Sequence, residues 1–198
     1  VLSLKTEKDI FETILARRSV RSFKKNKISQ SIISNLLEAA VRAPTALHQE
    51  PWGFVIIQDE QTLKTLSDYA KPLFLAELNK RELDSLEQLL DVFESPNFNI
   101  FYDADTIILI CGRTSSPFYV ADCWLAAENL MLVACAMRLG SCVIGSAVGA
   151  FNTPDIRNKF GIPDNFTAVA PIALGYPSIE SPPTSRKAPL IFTTIASN

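Results

Sequence analysis

Arg17, Arg18, Ser19 and Arg21 set three guanidinium forks and a hydroxyl close together, and Lys24, Lys25 and Lys27 continue the run. Six cations thus fall between positions 17 and 27 without one acid. Planar bidentate donors of this kind suit a phosphate better than a carboxylate. They also follow directly on a predicted helix. Far downstream, Arg186 and Lys187 make a second basic point, from which Arg186 has a route to the same anion. A solvated basic loop has the same composition, so the residues alone leave both readings open.

Other chemistries are poorly served. The single histidine, His48, lies in a proline-bounded loop, and no G-x-S-x-G elbow supports a nucleophilic triad. No G-x-G-x-x-G follows a strand. Gly140 and Gly145 have the outer spacing of a P-loop, but a helix precedes them and no lysine follows. Cys111, Cys123, Cys135 and Cys142 sit in apolar runs without a C-x-x-C pair, as reduced small hydrophobes of a cytoplasmic protein do, and no ligand spacing suggests a metal. A formal charge of -2 argues against a general nucleic-acid binder. Val1 to Lys8 lack an apolar stretch behind a basic start, so no secretion signal is expected there.

The elements that must position the basic cluster are readable from periodicity. Thr6 is placed to cap a first helix, with Glu7 and Asp9 in its first turn and Ile10, Phe11, Ile14 and Leu15 on one face. Ser29 caps a second, with Ile32, Ile33, Leu36, Leu37 and Ala40 turned inward, ending before Pro44. A loop from Pro44 to Trp52 feeds a strand over 53–57. Helices are predicted over 60–70 and 72–92, with Pro72 as the first residue of the latter. Strands follow over 105–111, 141–144 and 167–174, the last at an edge or irregular position because it contains Pro171. A short helix is predicted over 152–160.

The stretch from Pro117 to Gly140 is the most distinctive. Its apolar residues wrap a whole helical cylinder, and the glycine stands where a helix would stop. At 1.5 Å per residue it spans roughly 35 Å. Asp122, Glu128, Asn129 and Arg138 argue against a membrane span, which leaves a buried axial helix, covered in part by a second subunit or, in the other reading, by flanking helices of a monomer. One domain over 1–198 is expected, with 72–102 as a variable helical excursion near the active site.

In this order the segments resemble the FMN-dependent nitroreductase family over nearly the whole chain. The resemblance rests on R-R-S-V-R-S-F at 17–23, A-P-T-A-L-H-Q-E-P-W at 43–52, L-G-S-C-V-I-G at 139–145, and G-Y-P followed by P-P-T-S-R-K at 182–187. Together and at these spacings the four are specific. The resemblance implies an α+β fold: a central, mostly antiparallel sheet flanked by helices, with the axial helix at a homodimer interface. It implies that Arg17, Arg18, Ser19 and Arg21 hold the phosphate, ribityl chain and pyrimidine edge of a non-covalent FMN, and that Arg186 completes the phosphate site. Pro44, Thr45, Ala46 and His48 would approach that flavin from the partner subunit, and the backbone of Val143, Ile144 and Gly145 would meet the ring near N5.

The activity implied is ping-pong transfer of hydride from NAD(P)H through flavin N5 to a nitroaromatic or quinone-like acceptor, with no side-chain acid or base required. Alternatives within the fold are reductive dehalogenation, flavin fragmentation, or flavin binding and storage without turnover. Phe93, Phe98, Phe101 and Tyr102 are candidates for the wall of the acceptor pocket, with core packing as the other reading of each ring. The chain departs from the family's usual Gly, Asn and Gln at Leu47, His48 and Glu50. It also has Thr184 where many members carry a second basic residue, with Lys187 as a possible substitute.

Overall fold

The computed structural model describes residues 9–78, 86–182 and 184–196. Four strands form an all-antiparallel sheet in the order β1-β2-β4-β3, with β1 at Trp52–Ile57, β2 at Thr106–Arg113, β3 at Gly140–Val143 and β4 at Phe166–Gly175. Successive side chains of a strand point to opposite faces, and β2 supplies both. Ile107, Leu109 and Cys111 enter one apolar cluster with Leu63, Ala70 and Phe151. Ile108 and Ile110 enter another with Leu36, Ala40, Ala126 and Leu130. The sheet is therefore buried on both sides between helical layers, giving an α+β architecture. Helices α2 (Gln30–Ala40) and α5 (Tyr119–Ala136) cover one face, while α3 (Glu60–Leu78) and the short α6 (Val148–Phe151) cover the other.

Local signals account for several boundaries. Helix α1, Ile10–Ala16, starts with a reciprocal capping box in which Asp9 accepts from Glu12 N and Glu12 accepts from Asp9 N. Asp9 is thus the cap rather than a first-turn residue; the expected Thr6 cap and Glu7 lie outside the described residues. Ser29 caps α2 by accepting from Ile32 N, as its position predicts. Helix α7, Pro154–Phe160, has proline in its first turn and Gly161 in the left-handed conformation just past its end.

Two prolines behave differently from expectation. Pro72 lies inside α3 instead of opening a new helix, and α4 is a separate element at Leu86–Glu94. Proline deprives the carbonyl four residues back of its donor. Here that carbonyl belongs to Asp68, and both residues are on the exposed side of α3, where water can take the donor's place. Pro171 lies in β4, an interior strand. Its carbonyl accepts from Ile144 N at 2.9 Å, just past the end of β3, so its missing N–H faces the place where that ladder stops. The irregularity that proline suggested does exist nearby. The register shifts opposite Ile110 and Cys111, so that Ala168 faces one cluster while Val169 and Ala170 face the other.

Helix α5 is shorter and more one-sided than its sequence suggests. It stops at Ala136, where Arg138 takes φ 59° and Leu139 N donates back to Ala134 O at 2.8 Å. Gly140 is therefore not the helix stop but the first residue of β3. Seven residues of α5, from Asp122 to Ala134, are buried against the sheet and α2, while Val120, Trp124 and Leu125 on its other side are exposed. By length and composition alone α5 is apolar enough to cross a membrane. In this chain its buried face is a core face.

Candidate functional site

The basic segment is built onto the sheet edge. Ser19 forms a parallel bridge with Ser141 of edge strand β3, and Val20 N donates to Ser141 O at 2.9 Å. The chain then crosses to the end of β4. Phe23 bridges Pro177 antiparallel, Lys24 N donates to Tyr176 O at 2.8 Å, and Ser178 N donates to Ser22 O at 3.0 Å. The contact needs two glycines. A Cβ on Gly140 would lie 2.8 Å from Val20 Cβ, and one on Gly175 would lie 3.0 Å from Phe23 Cδ1.

Between this segment and the post-β4 chain lies a cavity of about 500 Å³. Arg17, Arg18, Arg21 and Arg186 line it, with the hydroxyls of Ser19, Ser22, Ser181 and Thr184. Among the described residues no carboxylate lines it. The sequence left open whether Arg186 meets the first basic cluster; the fold brings the two to one cavity across the sheet edge.

The arginines are held differently. Arg17 Nε lies 3.5 Å from Glu128 Oε1 on α5. Arg18 donates to the carbonyls of Leu15, Arg17 and Pro182, which satisfies the carboxyl-terminal turn of α1 and ties the two cavity walls together. Among the described residues, the hydrogen bond Arg186 makes is to the neighbouring Ser185 carbonyl, at 3.5 Å. Arg21 Cζ stands 5.9 Å from the centroid of Tyr102.

Val143, Ile144 and Gly145 follow Ser141, the β3 residue bridged to Ser19, but none of the three lines the cavity. Pro44, Thr45, Ala46 and His48 do not line the cavity in this chain. Their loop sits on the amino-terminal end of α5, where Asp122 Oδ1 accepts from Ala46 N at 3.1 Å. Leu47, His48 and Glu50 adopt φ of 54°, 51° and 43°, a cluster of left-handed residues that the surrounding contacts must hold. Asp122 is a residue the sequence reading valued only as an argument against a membrane. An acid in the first turn of a largely apolar helix is the available signal, and at 3 % exposure in the fold it must be hydrogen-bonded.

Of the aromatic candidates, Phe101 is fully buried and Phe93 nearly so, and both belong to the core cluster. Phe98 and Tyr102 are half-buried, and they line a smaller cavity of about 230 Å³ that shares Arg21 and Ser22 with the larger one.

Three of the four cysteines, Cys111, Cys123 and Cys142, are buried and offer no nucleophile. Burial pushes the Cys111 thiol up to about 11 and the Cys123 thiol up to about 12. Burial also raises Cys142, against the opposing pull of Arg21. The thiolate is the reactive form, so these three should resist iodoacetamide at pH 8 in the native protein and react once denaturant is added. Because their folded values are raised, the stability they contribute is complete below the unfolded thiol value of about 8.5 and is lost as pH climbs past it. Denaturation midpoints at pH 8 and pH 10 check the sign.

Fold and cavity together define an α+β protein with an arginine-lined cavity at the edge of its sheet. The nitroreductase family model matches residues 14–176. The chain is 26% identical to an NADH dehydrogenase of Thermus thermophilus over 87% of its own length and 88% of that protein's. It is 23% identical to an iodotyrosine deiodinase of Thermotoga neapolitana, covering 88% of this chain and 92% of that one. Among solved structures, a nitroreductase from Bacteroides fragilis with bound FMN superposes with a TM-score of 0.79 at 26% identity, over 96% of this chain and 100% of that one. The chain belongs to the nitroreductase family.

Proposed function

We propose that this enzyme is an FMN-dependent reductase that takes hydride from NADH or NADPH and delivers reducing equivalents to a nitroaromatic or quinone-like acceptor, the two substrates using one place in turn. The donor set of the 500 Å³ cavity carries the reading: four arginines and four hydroxyls, with no carboxylate among the described lining residues. That set fits a phosphate joined to a polyhydroxy chain, which is the non-aromatic half of FMN. Arg17 and Arg186 would hold the phosphate, with Arg18 adding its charge while its own donors fix the wall. Ser19 and its neighbouring hydroxyls would bind the ribityl chain. Arg21 would stand at the pyrimidine edge, and the backbone of Val143, Ile144 and Gly145 would face the ring. A Cβ on Gly145 would meet nothing within 4 Å, which leaves room there for a flat group.

When bound, the flavin supplies the two-electron chemistry; the protein supplies binding, orientation and electrostatics. Arg21 contributes a positive charge that favours electron acceptance nearby, and no side chain is needed as a dedicated acid or base. Phe98 and Tyr102 beside Arg21 offer flat surfaces on which an aromatic acceptor can stack.

A homodimer completes the reading. Three apolar surfaces are uncovered in one chain: Val120, Trp124 and Leu125 on α5, Phe11 and Leu15 on α1, and Leu190 to Phe192 in the extended tail. Contiguous patches of this sort ask for a partner. In such a dimer the strained loop carrying Pro44, Thr45, Ala46 and His48 would reach the cavity of the second subunit.

An absorption spectrum of the purified protein tests the function, repeated anaerobically after adding NADH or NADPH. A yellow protein that bleaches with either nucleotide is expected. One that stays yellow would point to flavin binding without turnover, and one that is colourless and takes up no added FMN would sink the cofactor assignment. The relatives named iodotyrosine deiodinase favour one second reading, reductive dehalogenation of a halogenated aromatic. Product analysis with a nitroaromatic and with iodotyrosine as acceptors separates the two.

A further inference from the structure

Arg21 differs from the other arginines of the cavity in how it is held. Among the described residues no hydrogen bond or ion pair fixes its guanidinium; its defined contact is the ring of Tyr102, 5.9 Å from Cζ to centroid. A free arginine side chain has many rotamers, whereas attraction to a ring face narrows the choice. The ring in turn is aimed from behind. Tyr102 belongs to the segment between α4 and β2, and its next neighbours Ile100 and Phe101 are sunk in the core. Ser67 of α3, itself 1 % exposed, accepts from Ile100 N at 3.0 Å, and Lys71 Nζ donates to Phe98 O at 3.0 Å. Asn99 Oδ1 accepts from Phe101 N at 2.9 Å, while the Asn99 carbonyl accepts from Tyr102 N at 2.8 Å. Phe98 packs edge-on against Tyr102 at 5.8 Å, and Phe93 edge-on against Phe98 at 5.2 Å.

Tyr102 and Asp103 take φ of 54° and 55°. Non-glycine residues stay in that region only when the surroundings over-determine them, and such strain concentrates where a side chain must be presented in one way. Here the clamp from α3 presents the Tyr102 ring to Arg21.

We propose that Tyr102 is a positioning residue that aims the Arg21 guanidinium at the flavin, and that Ser67 and Lys71 hold it for this purpose. The inference rests on the reading of Arg21 as a flavin contact. Tyr102 acts through Arg21, so the consequence is electrostatic: a well-aimed cation favours the reduced over the oxidised flavin, and a wandering one favours it less.

The test is the FMN midpoint potential of Tyr102→Phe, Tyr102→Leu, Lys71→Met, Arg21→Ala and the Arg21→Ala/Tyr102→Leu double variant. Tyr102→Phe keeps a ring and should keep the wild-type potential. Tyr102→Leu should lower it by about 14 mV, the two-electron equivalent of about a threefold loss of preference for the reduced flavin. Lys71→Met, remote from Arg21, should move it in the same direction. In the Arg21→Ala background, Tyr102→Leu should add nothing. In the flavin-free protein, the ring-current shift of the Arg21 side-chain protons should vanish in Tyr102→Leu and persist in Tyr102→Phe. An undiminished effect of Tyr102→Leu in the double variant would overturn the inference while leaving Arg21 as a flavin contact. No change in Arg21→Ala, with flavin still bound, would overturn that reading and the inference with it.

Discussion

Arg17→Ala should yield a folded protein that leaves purification nearly free of flavin. The expectation follows from what Arg17 does and does not hold. Its ion pair with Glu128 is 3.5 Å long, and the Glu128 side chain is half exposed. Pairs of that kind contribute about 0–1 kcal/mol, so the fold tolerates the loss. A guanidinium on a phosphate is a different matter: charge-assisted contacts are worth about 1.5–3 kcal/mol, which converts to about a 10- to 150-fold rise in the dissociation constant. Arg186→Ala should behave alike, since among the described residues its hydrogen bond is a long one to its neighbour's carbonyl. Arg18→Ala should lose thermal stability as well, because its donors serve Leu15, Arg17 and Pro182. Titration of FMN fluorescence beside thermal melts checks all three. Unchanged affinity in both Arg17→Ala and Arg186→Ala would remove the phosphate assignment.

The second large effect is expected far from any charge. Gly140→Ala puts a Cβ at 2.8 Å from both Cβ and Cγ1 of Val20 and 2.9 Å from Cγ2. Val20 is buried at 7 % exposure, and the clash includes its Cβ, which no change of rotamer moves. Overpacking of this kind costs about 1–3 kcal/mol. The clash also wedges the basic segment away from β3, straining the Val20 N–Ser141 O bond and displacing Ser19 and Arg21 together. Displacements of about 1 Å at a positioned site are expensive. Gly140→Ala should therefore lower the denaturation midpoint and weaken FMN binding at once. Adding Val20→Ala should recover much of both; failure to recover either would mean the glycine is required for another reason.

The same glycine marks the boundary between what is local and what is not. Read along the chain, Gly140 looked like a helix stop, because a glycine after an apolar helix usually is one. The stop is in fact made by Arg138 at positive φ, and the missing Cβ serves Val20, distant in the sequence. Pro72 and Pro171 carry the same lesson. A proline's lost donor matters only through what would have faced it, and that was solvent in one case and the end of a ladder in the other.

What the sequence determined by itself is the set of elements and the chemical type of the site. Short apolar runs specify the strands, Ser29 specifies the start of α2, and R-R-S-V-R-S-F with a later arginine specifies a concentration of positive charge, because each of these acts through side-chain period, caps and charge within a few residues. Only the tertiary structure decided how the groups are used. It spends Arg18 on carbonyls, aims Arg21 with Tyr102, sinks Phe101 into the core and ties the His48 loop down through Asp122 and Ala46. It also leaves one side of α5 open where the sequence is apolar all round. The reason is that these outcomes depend on which distant segments the sheet brings side by side, and neither period nor propensity encodes that distance.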